Sequence, residues 1–286
     1  MPADNRSERF LSLLKAVSRS FYLSLKLLPA SVGPTLSLAY LLARASDSIA
    51  DVAAAEAEAR VRLLRGLPGD WPADAAGNLE AGGQLPAADR LLLNSLPGLL
   101  EDLRSSPDRS EIEAIWATIR EGQIFDIERF SGNPAPLEFD EACHYTGLVA
   151  GCVGTFWTDV CFKHVPGYAV LPAPEMRRLG FSFGCGLQWV NILRDRHADA
   201  DSGRVYVREE EFLRALGLAH EHLRDGTSYA AAVRPRRLRA ASALPLALGK
   251  RTLDLVEAGP QLARVKVGRW FVWRCLLLAL STTSPR

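Results

Sequence analysis

An all-α protein is predicted, and three observations predict it. Apolar residues recur at three- and four-residue spacing through most of the 286 residues. Alternating strand patterns and hairpin turn dipeptides are scarce. Long tracts rich in alanine and leucine add high intrinsic helix propensity. In chain order, residues 8–28 carry the first helical stripe, and Pro29 and Pro34 then bracket a turn. Pro34 suits a first helical position, where its missing N–H is no loss. Residues 35–67 read as helix nearly throughout, whereas 67–90, rich in Gly, Pro, Asp and Asn, read as an exposed loop. Helical spacing resumes over 89–102, 110–130 and 138–161. A proline-containing turn over 164–174 leads into a long apolar-faced helix over 174–199. A more polar helix follows over 207–225, then one or two over 228–258, and a last one over 268–281.

Composition excludes several classes. With 48% hydrophobic residues and no low-complexity tract, the chain can bury one large core, and a single domain over 1–286 is expected. Lys and Arg number 34 against 33 Asp and Glu, which lacks the basic excess of a nucleic-acid binder. The five cysteines form no CxxC pair, and their apolar neighbours suit buried thiols in a reducing compartment. No zinc cluster or catalytic triad assembles from the five histidines, and no GxGxxG or GxxxxGK loop occurs. The start lacks an apolar targeting segment, and no run reaches the roughly 18 apolar residues that span a bilayer. A cytoplasmic protein is expected, as a monomer or weak dimer.

Two segments carry acidic pairs. Tyr40, Arg44, Asp47 and Asp51 fall on one helical stripe within an otherwise apolar or small-residue run. Two carboxylates one turn apart can chelate a hard cation, especially when substrate phosphates complete its oxygen shell. Taken alone, DxxxD is common on ordinary surface helices. The second segment is more specific: Gln188, Asn191, Asp195 and Asp199 share a face, with Arg194 beside them and an apolar lead-in. Burying amides and a carboxylate beside a core costs several kcal/mol unless they find partners. A metal ion and a diphosphate would supply them. If two such helices face each other, Mg²⁺ on each pair neutralises a leaving pyrophosphate. The allylic cation left behind then needs a dry apolar cavity, so that an alkene rather than water captures it.

Other polar features fit that chemistry. Ser18, Arg19 and Ser20 bring hydroxyls and a guanidinium to the first helix, next to Phe21, and can bind phosphate oxygens. Arg44 and Arg194 are better placed for that role. Gln123 and Asp126 can add a metal or water ligand. Gly147, Gly151 and Gly154 share a face, either letting helices approach closely or leaving room for a long substrate, with Tyr145 at the start of the tract.

Together these motifs closely resemble the squalene/phytoene synthase family, the head-to-head branch of the helical isoprenoid synthases. The matching segments are SRSF at 18–21, YLLARASDSIAD at 40–51, YTGLVAGCVG at 145–154, LQWVNILRDRHAD at 187–199 and GRVYV at 203–207, in the family's order. The resemblance implies an isoprenoid synthase fold, with helices around a central apolar cavity. It implies condensation of two prenyl diphosphates through a cyclopropylcarbinyl diphosphate, with two or three Mg²⁺ ions required. By the same resemblance Asp47, Asp51, Asp195 and Asp199 are metal ligands and catalytic residues. Ser18, Arg19, Ser20, Arg44 and Arg194 match diphosphate-contacting positions. Tyr145 matches a tyrosine that assists proton removal or stabilises the cation. Phe21, Tyr40, Gln123, Asp126, Val149, Gly151, Gln188, Asn191 and Tyr206 match pocket positions. Three positions depart from the pattern: Ala50 and Ala198 stand where an extra acid is frequent, and Val207 where a proline is common. No essential group is removed, so an active enzyme is expected.

Within the family, RASDSIAD and LQWVNILRD look nearer to squalene synthases, and ARVKVGRWFVWRCLLLAL resembles the late segment of bacterial members. The expectation is therefore farnesyl diphosphate to squalene with NADPH as reductant, with Arg264, Lys266 or Arg269 as candidate cofactor contacts. Phytoene or dehydrosqualene synthesis without reduction is the alternative. A terpene cyclase would carry a different second motif, and a non-catalytic helical interaction protein would be expected to lose these aspartates and arginines. The hydrocarbon product makes peripheral membrane contact through the apolar late segment an expectation.

Overall fold

A computed structural model describes residues 3–18, 21–52, 55–69, 71–72, 79, 85–132 and 135–259. Every regular element among them is helical, apart from one isolated antiparallel bridge between Ala169 and Val233. They group into two compact units, one of the described residues up to 26 and between 33 and 132, the other of residues 27–32 and 135–259.

The first unit runs through α1 (Ala3–Val17), α2 (Phe21–Lys26), α3 (Gly33–Ala50), α4 (Ala57–Gly66), α5 (Ala87–Arg104) and α6 (Arg109–Gly132). Pro34 lies in the first turn of α3, as expected. α3 is the core of this unit and packs on α1, α4, α5 and α6, burying Leu41, Leu42, Ala45 and Ile49 completely. Several polar groups buried with it are paired. Thr35 donates to Asp108 (2.6 Å), and the Trp116 indole donates to the Ser46 hydroxyl (3.1 Å). The buried Arg120 donates to the carbonyls of Leu64 and Leu67 (2.6 and 2.5 Å), capping the end of α4.

Two helices expected to be continuous are broken here. The 8–28 stripe divides because the Ser18 hydroxyl accepts the Tyr22 N–H (3.1 Å), satisfying a group that opens a new helix. The 35–67 segment divides after Ala50, whose carbonyl accepts a bond from Arg60 Nη1 (2.5 Å) in place of the helical ladder. Alanine's propensity is overridden by tertiary partners at that point.

The second unit contains α7 (Phe139–Thr146), a π-helical turn (Gly147–Gly151), α8 (Cys152–His164), α9 (Ala173–Asp201), a 3₁₀ turn (Glu209–Glu211), α10 (Phe212–Ala232) and α11 (Arg236–Ala258). α9 is its axis, touching α7, the π turn, α8, α10 and α11. A capping box between Glu138 and Glu141 opens α7. Close approach explains the tight packing: a Cβ on Gly154 would land on the carbonyl of Gly180, and one on Gly184 would land on that of Ala150. The Gly-rich tract thus serves helix approach, the first of the two roles open in the sequence. Phe139 stacks on Trp189 (centroids 5.5 Å), and Tyr229 bonds both Tyr168 (2.8 Å) and Thr158 (2.9 Å) in a buried hydroxyl chain.

The helix expected over 138–161 contains the π turn. The one expected over 207–225 starts only at Phe212 and continues to Ala232. The chain breaks again at Val233–Pro235, because Pro235 lacks an N–H and Arg239 gathers the carbonyls of Val233 (3.1 Å) and Arg234 (3.2 Å). Burial pushes the Cys152 and Cys161 thiols up to about 12 and Cys185 up to about 11, which suits core thiols rather than nucleophiles. The helix expected over 268–281, with Arg264, Lys266 and Arg269, lies outside the described residues.

Two measurements follow from this packing. Gly154→Ala should destabilise by about 1–3 kcal/mol, while Gly217→Ala, with nothing within 4 Å of its Cβ position, should stabilise by up to about 1 kcal/mol. Thermal melts of the two variants check the opposite signs. His222 bonds Ser182 through Nδ1 (2.7 Å), and burial holds its imidazole below the ordinary value, against smaller pulls from Glu221 and Asp225. The unfolded chain then binds the extra proton more readily. This contribution to stability is full above about pH 6.5 and is lost as pH falls toward the folded pKa. Denaturant midpoints taken across that window should show the slope, and His222→Asn should flatten it.

Candidate active site

The first acidic pair lies at the C-terminal end of α3. Asp51 N–H donates to the Asp47 carbonyl (2.9 Å), so helical geometry carries through both acids and sets them one turn apart. Arg44 Nη1 grips Asp47 Oδ2 (2.8 Å) and reaches Ser48 Oγ (3.2 Å). Its Nη2 grips Asp89 Oδ1 (2.8 Å), in the first turn of α5. Tyr40 stacks on Phe21 (5.6 Å, 10°) one turn before Arg44. Burial raises its phenol pKa, while the bond to Ser18 and the charge of Arg44 oppose the rise.

The second acidic pair lies at the C-terminal end of α9. Arg194 forks onto its neighbour Asp195, through Nε to Oδ1 (2.9 Å) and Nη2 to Oδ2, and this bond raises the guanidinium pKa further. Asn191 donates to Gln188 one turn earlier (3.3 Å). Asp199 follows Asp195 by one turn, and its carbonyl accepts the Arg204 N–H (2.8 Å). Tyr206, after that turn, is buried and stacks on Tyr145 (5.2 Å, 23°). Val149 sits half-buried in the π turn, and buried Gly151 has Cys185 and Phe181 at 2.7 Å from its Cβ position.

α3 therefore ends at two carboxylates and α9 at three, Asp201 following Asp195 and Asp199, and neither helix has a basic residue in its last turn. A helix C-terminus already carries partial negative charge, so acids placed there repel it unless a cation is supplied. Hard oxygen donors, paired at one-turn spacing in such a field, fit a divalent ion. No group of three or more acids, histidines or cysteines able to hold a metal occurs among the described residues. Each pair would leave most positions of a six-coordinate Mg²⁺ to water and substrate oxygens. In both halves a guanidinium holds one acid of the pair, so the expected phosphate-binding and metal-binding side chains neutralise each other here.

Comparison with known proteins gives this geometry a family. The model of the squalene/phytoene synthase family matches residues 14–218, more than half of the chain. The chain belongs to the squalene/phytoene synthase family. A bifunctional lycopene cyclase/phytoene synthase of Pyrenophora tritici-repentis is 28% identical over 217 residues, covering 73% of this chain and 35% of that protein. A squalene synthase of Yarrowia lipolytica is 28% identical over 214 residues, covering 71% of this chain and 45% of that one. The chain thus spans less than half the length of these relatives. Among solved structures, the complex of TcSQS with the ligand E5700 superposes with a TM-score of 0.77 at 20% identity, covering 97% of this chain and 86% of that one. The fold is the all-α isoprenoid synthase fold.

For a squalene/phytoene synthase family member, the remaining expected residues sort by location. Ser18 is buried and occupied by Tyr22 and Tyr40, which gives it a structural task in α2. Arg19 and Ser20 lie outside the described residues. Gln123 and Asp126 are buried on α6 in the first unit. The Oε1 of Gln123 has no hydrogen-bond partner there, an unmet acceptor of the kind that a bound water or substrate group would satisfy. Sequence reading missed Asp89 and Ser48, which hold Arg44, because Asp89 borders a stretch read as exposed loop and lies on no periodic stripe with it.

Gln123→Met should raise stability by about 1–3 kcal/mol through removal of the unmet acceptor, and lower turnover if that oxygen serves the reaction. Parallel melts and product assays read the two effects separately.

Proposed function

We propose that this protein condenses two molecules of farnesyl diphosphate head to head, through presqualene diphosphate, and reduces the intermediate to squalene with NADPH. The observation that carries the reading is the repeated arrangement at the ends of α3 and α9. There, an arginine and two acids at one-turn spacing recur inside the region matched by the family.

In this reading Asp47, Asp51, Asp195 and Asp199 hold Mg²⁺, and Arg44 and Arg194 donate to diphosphate oxygens. Mg²⁺ held by these carboxylates would supply charge neutralisation for a departing pyrophosphate. Arg44 and Arg194 keep their planar forks ready while they hold acids, so their exchange onto phosphate needs little reordering. Tyr145, braced by its stack on Tyr206, offers a ring face to a developing carbocation and a phenol oxygen to the proton it loses. Gln188 and Asn191 orient polar groups beside Asp195. The half-buried apolar surface of the π turn, Leu148 and Val149 included, excludes water from the hydrocarbon. Peripheral membrane contact would let the hydrocarbon product leave without crossing water, and no helix among the described residues is long and apolar enough to span a bilayer.

The phytoene synthase part of the Pyrenophora relative's name supports a second reading, in which the same residues act on a longer prenyl diphosphate without reduction.

Mass-spectrometric product analysis with Mg²⁺ and farnesyl diphosphate, with and without NADPH, tests the choice. Squalene only with NADPH is the expected result. Dehydrosqualene, hydroxysqualene or presqualene diphosphate regardless of NADPH would place the enzyme in the non-reductive branch, and product only from geranylgeranyl diphosphate would establish the second reading. Asp195→Ala should abolish turnover, and an unchanged rate would sink the metal assignment.

A further inference from the structure

We infer that Asp89 is a positioning residue for the diphosphate site, anchoring Arg44 so that its guanidinium stays in place when Asp47 is drawn elsewhere. The inference rests on the functional reading above and adds to it a residue from a different helix.

Arg44 lies between two carboxylates of unequal freedom. The Asp47 side chain is 47% exposed and sits three residues along the same helix, whereas the Asp89 side chain is 15% exposed and comes from the first turn of α5. Asp89 Oδ1 accepts from Arg44 Nη2 (2.8 Å) and lies 3.0 Å from Ser48 Oγ, whose one proton it shares with the Arg44 carbonyl (3.0 Å). Ser48 in turn accepts from Arg44 Nη1 (3.2 Å), closing a ring of Arg44, Ser48 and Asp89 that does not include Asp47. One hydrogen bond of 2.8 Å joins Asp47 to that ring, beside a further interaction that Asp47 makes outside it. A guanidinium has five N–H groups. Two on Nη1 and one on Nη2 are used here, and Nε–H with the second Nη2–H meets no other described residue.

The arrangement has a physical consequence. Without Asp89, Arg44 has one carboxylate partner and follows it. With Asp89, the guanidinium plane is fixed from the buried side, and loss of Asp47 frees an Nη1 donor rather than moving the group. A fixed planar fork with three available N–H groups matches two phosphate oxygens. Asp89 also neutralises Arg44 while no substrate is bound, so the half-buried cation is not left unpaired.

The test is binding of inorganic pyrophosphate with Mg²⁺ to the full chain by titration calorimetry, which needs no turnover. Asp89→Ala should weaken binding about 10- to 100-fold, the range for residues that orient a ligating group. Asp89→Asn, which keeps an acceptor but not the charge, should fall between Asp89→Ala and the unsubstituted protein. In an Arg44→Ala background, Asp89→Ala should add nothing, because its effect runs through Arg44. Full additivity of the two losses would overturn the inference, as would unchanged affinity in a folded Asp89→Ala protein. Should Asp89→Ala fail to fold by circular dichroism, Asp89→Asn decides alone, and affinity within twofold of the unsubstituted protein overturns the proposal. No pyrophosphate binding by the unsubstituted protein would instead remove the functional reading, and the inference with it.

Discussion

Where Gly154 lies on the backbone of Gly180, and Gly184 on that of Ala150, helices meet with no side chain between them. That contact fixes the axis of α9, and with it the direction in which Gln188, Asn191, Asp195 and Asp199 project. A helix of 29 residues is held over several of its turns by such contacts on one side. On another side the ring of Phe183 fills the space beside Gly226, and His222 sits against Gly186. Interiors packed to this density deform little, so the polar end of α9 inherits a rigid base. The glycines are unfavourable for an isolated helix, yet the packing they permit more than offsets that loss.

The charged ends of α3 and α9 run against the same rule of helix electrostatics. Acids at a C-terminus are disfavoured by the dipole, yet α3 has a pair of them and α9 three. The protein meets this with a nearby arginine rather than with lysines in the last turn. Arg44 and Arg194 each hold one acid of these clusters, Asp47 and Asp195, and ion pairs whose acid is nearly half exposed contribute little to stability. Their importance is organisational, since weakly bound partners are readily exchanged when a stronger cation and a stronger anion arrive together.

Much of this was legible from the sequence, and the reasons differ by residue. The helical class and the acidic pairs on α3 and α9 follow from spacing alone, because period 3.6 and one-turn intervals are local properties. The breaks at Ser18 and Ala50 were not legible. They depend on partners chosen in three dimensions, the Tyr22 amide for Ser18 and the Arg60 guanidinium for Ala50. Asp89 was hidden for the same reason. Its meaning comes from Arg44, 45 positions earlier in the chain, and nothing in its own neighbourhood marks it. The role of the Gly147–Gly154 tract was half legible: spacing showed one small-residue face, while only the packing against α9 showed that close approach fills it.

The π turn at Gly147–Gly151 inserts the equivalent of one residue between Tyr145 and the body of α8. Each residue of an α-helix turns the chain by about 100°. A one-residue deletion within this stretch would restore ordinary helix and swing Tyr145 away from Tyr206 without altering either aromatic. Direction at this position is thus written in chain length rather than in residue type. A lineage can redirect the phenol by a single codon gained or lost, and an alignment that closes the gap to maximise identity would conceal that it had happened.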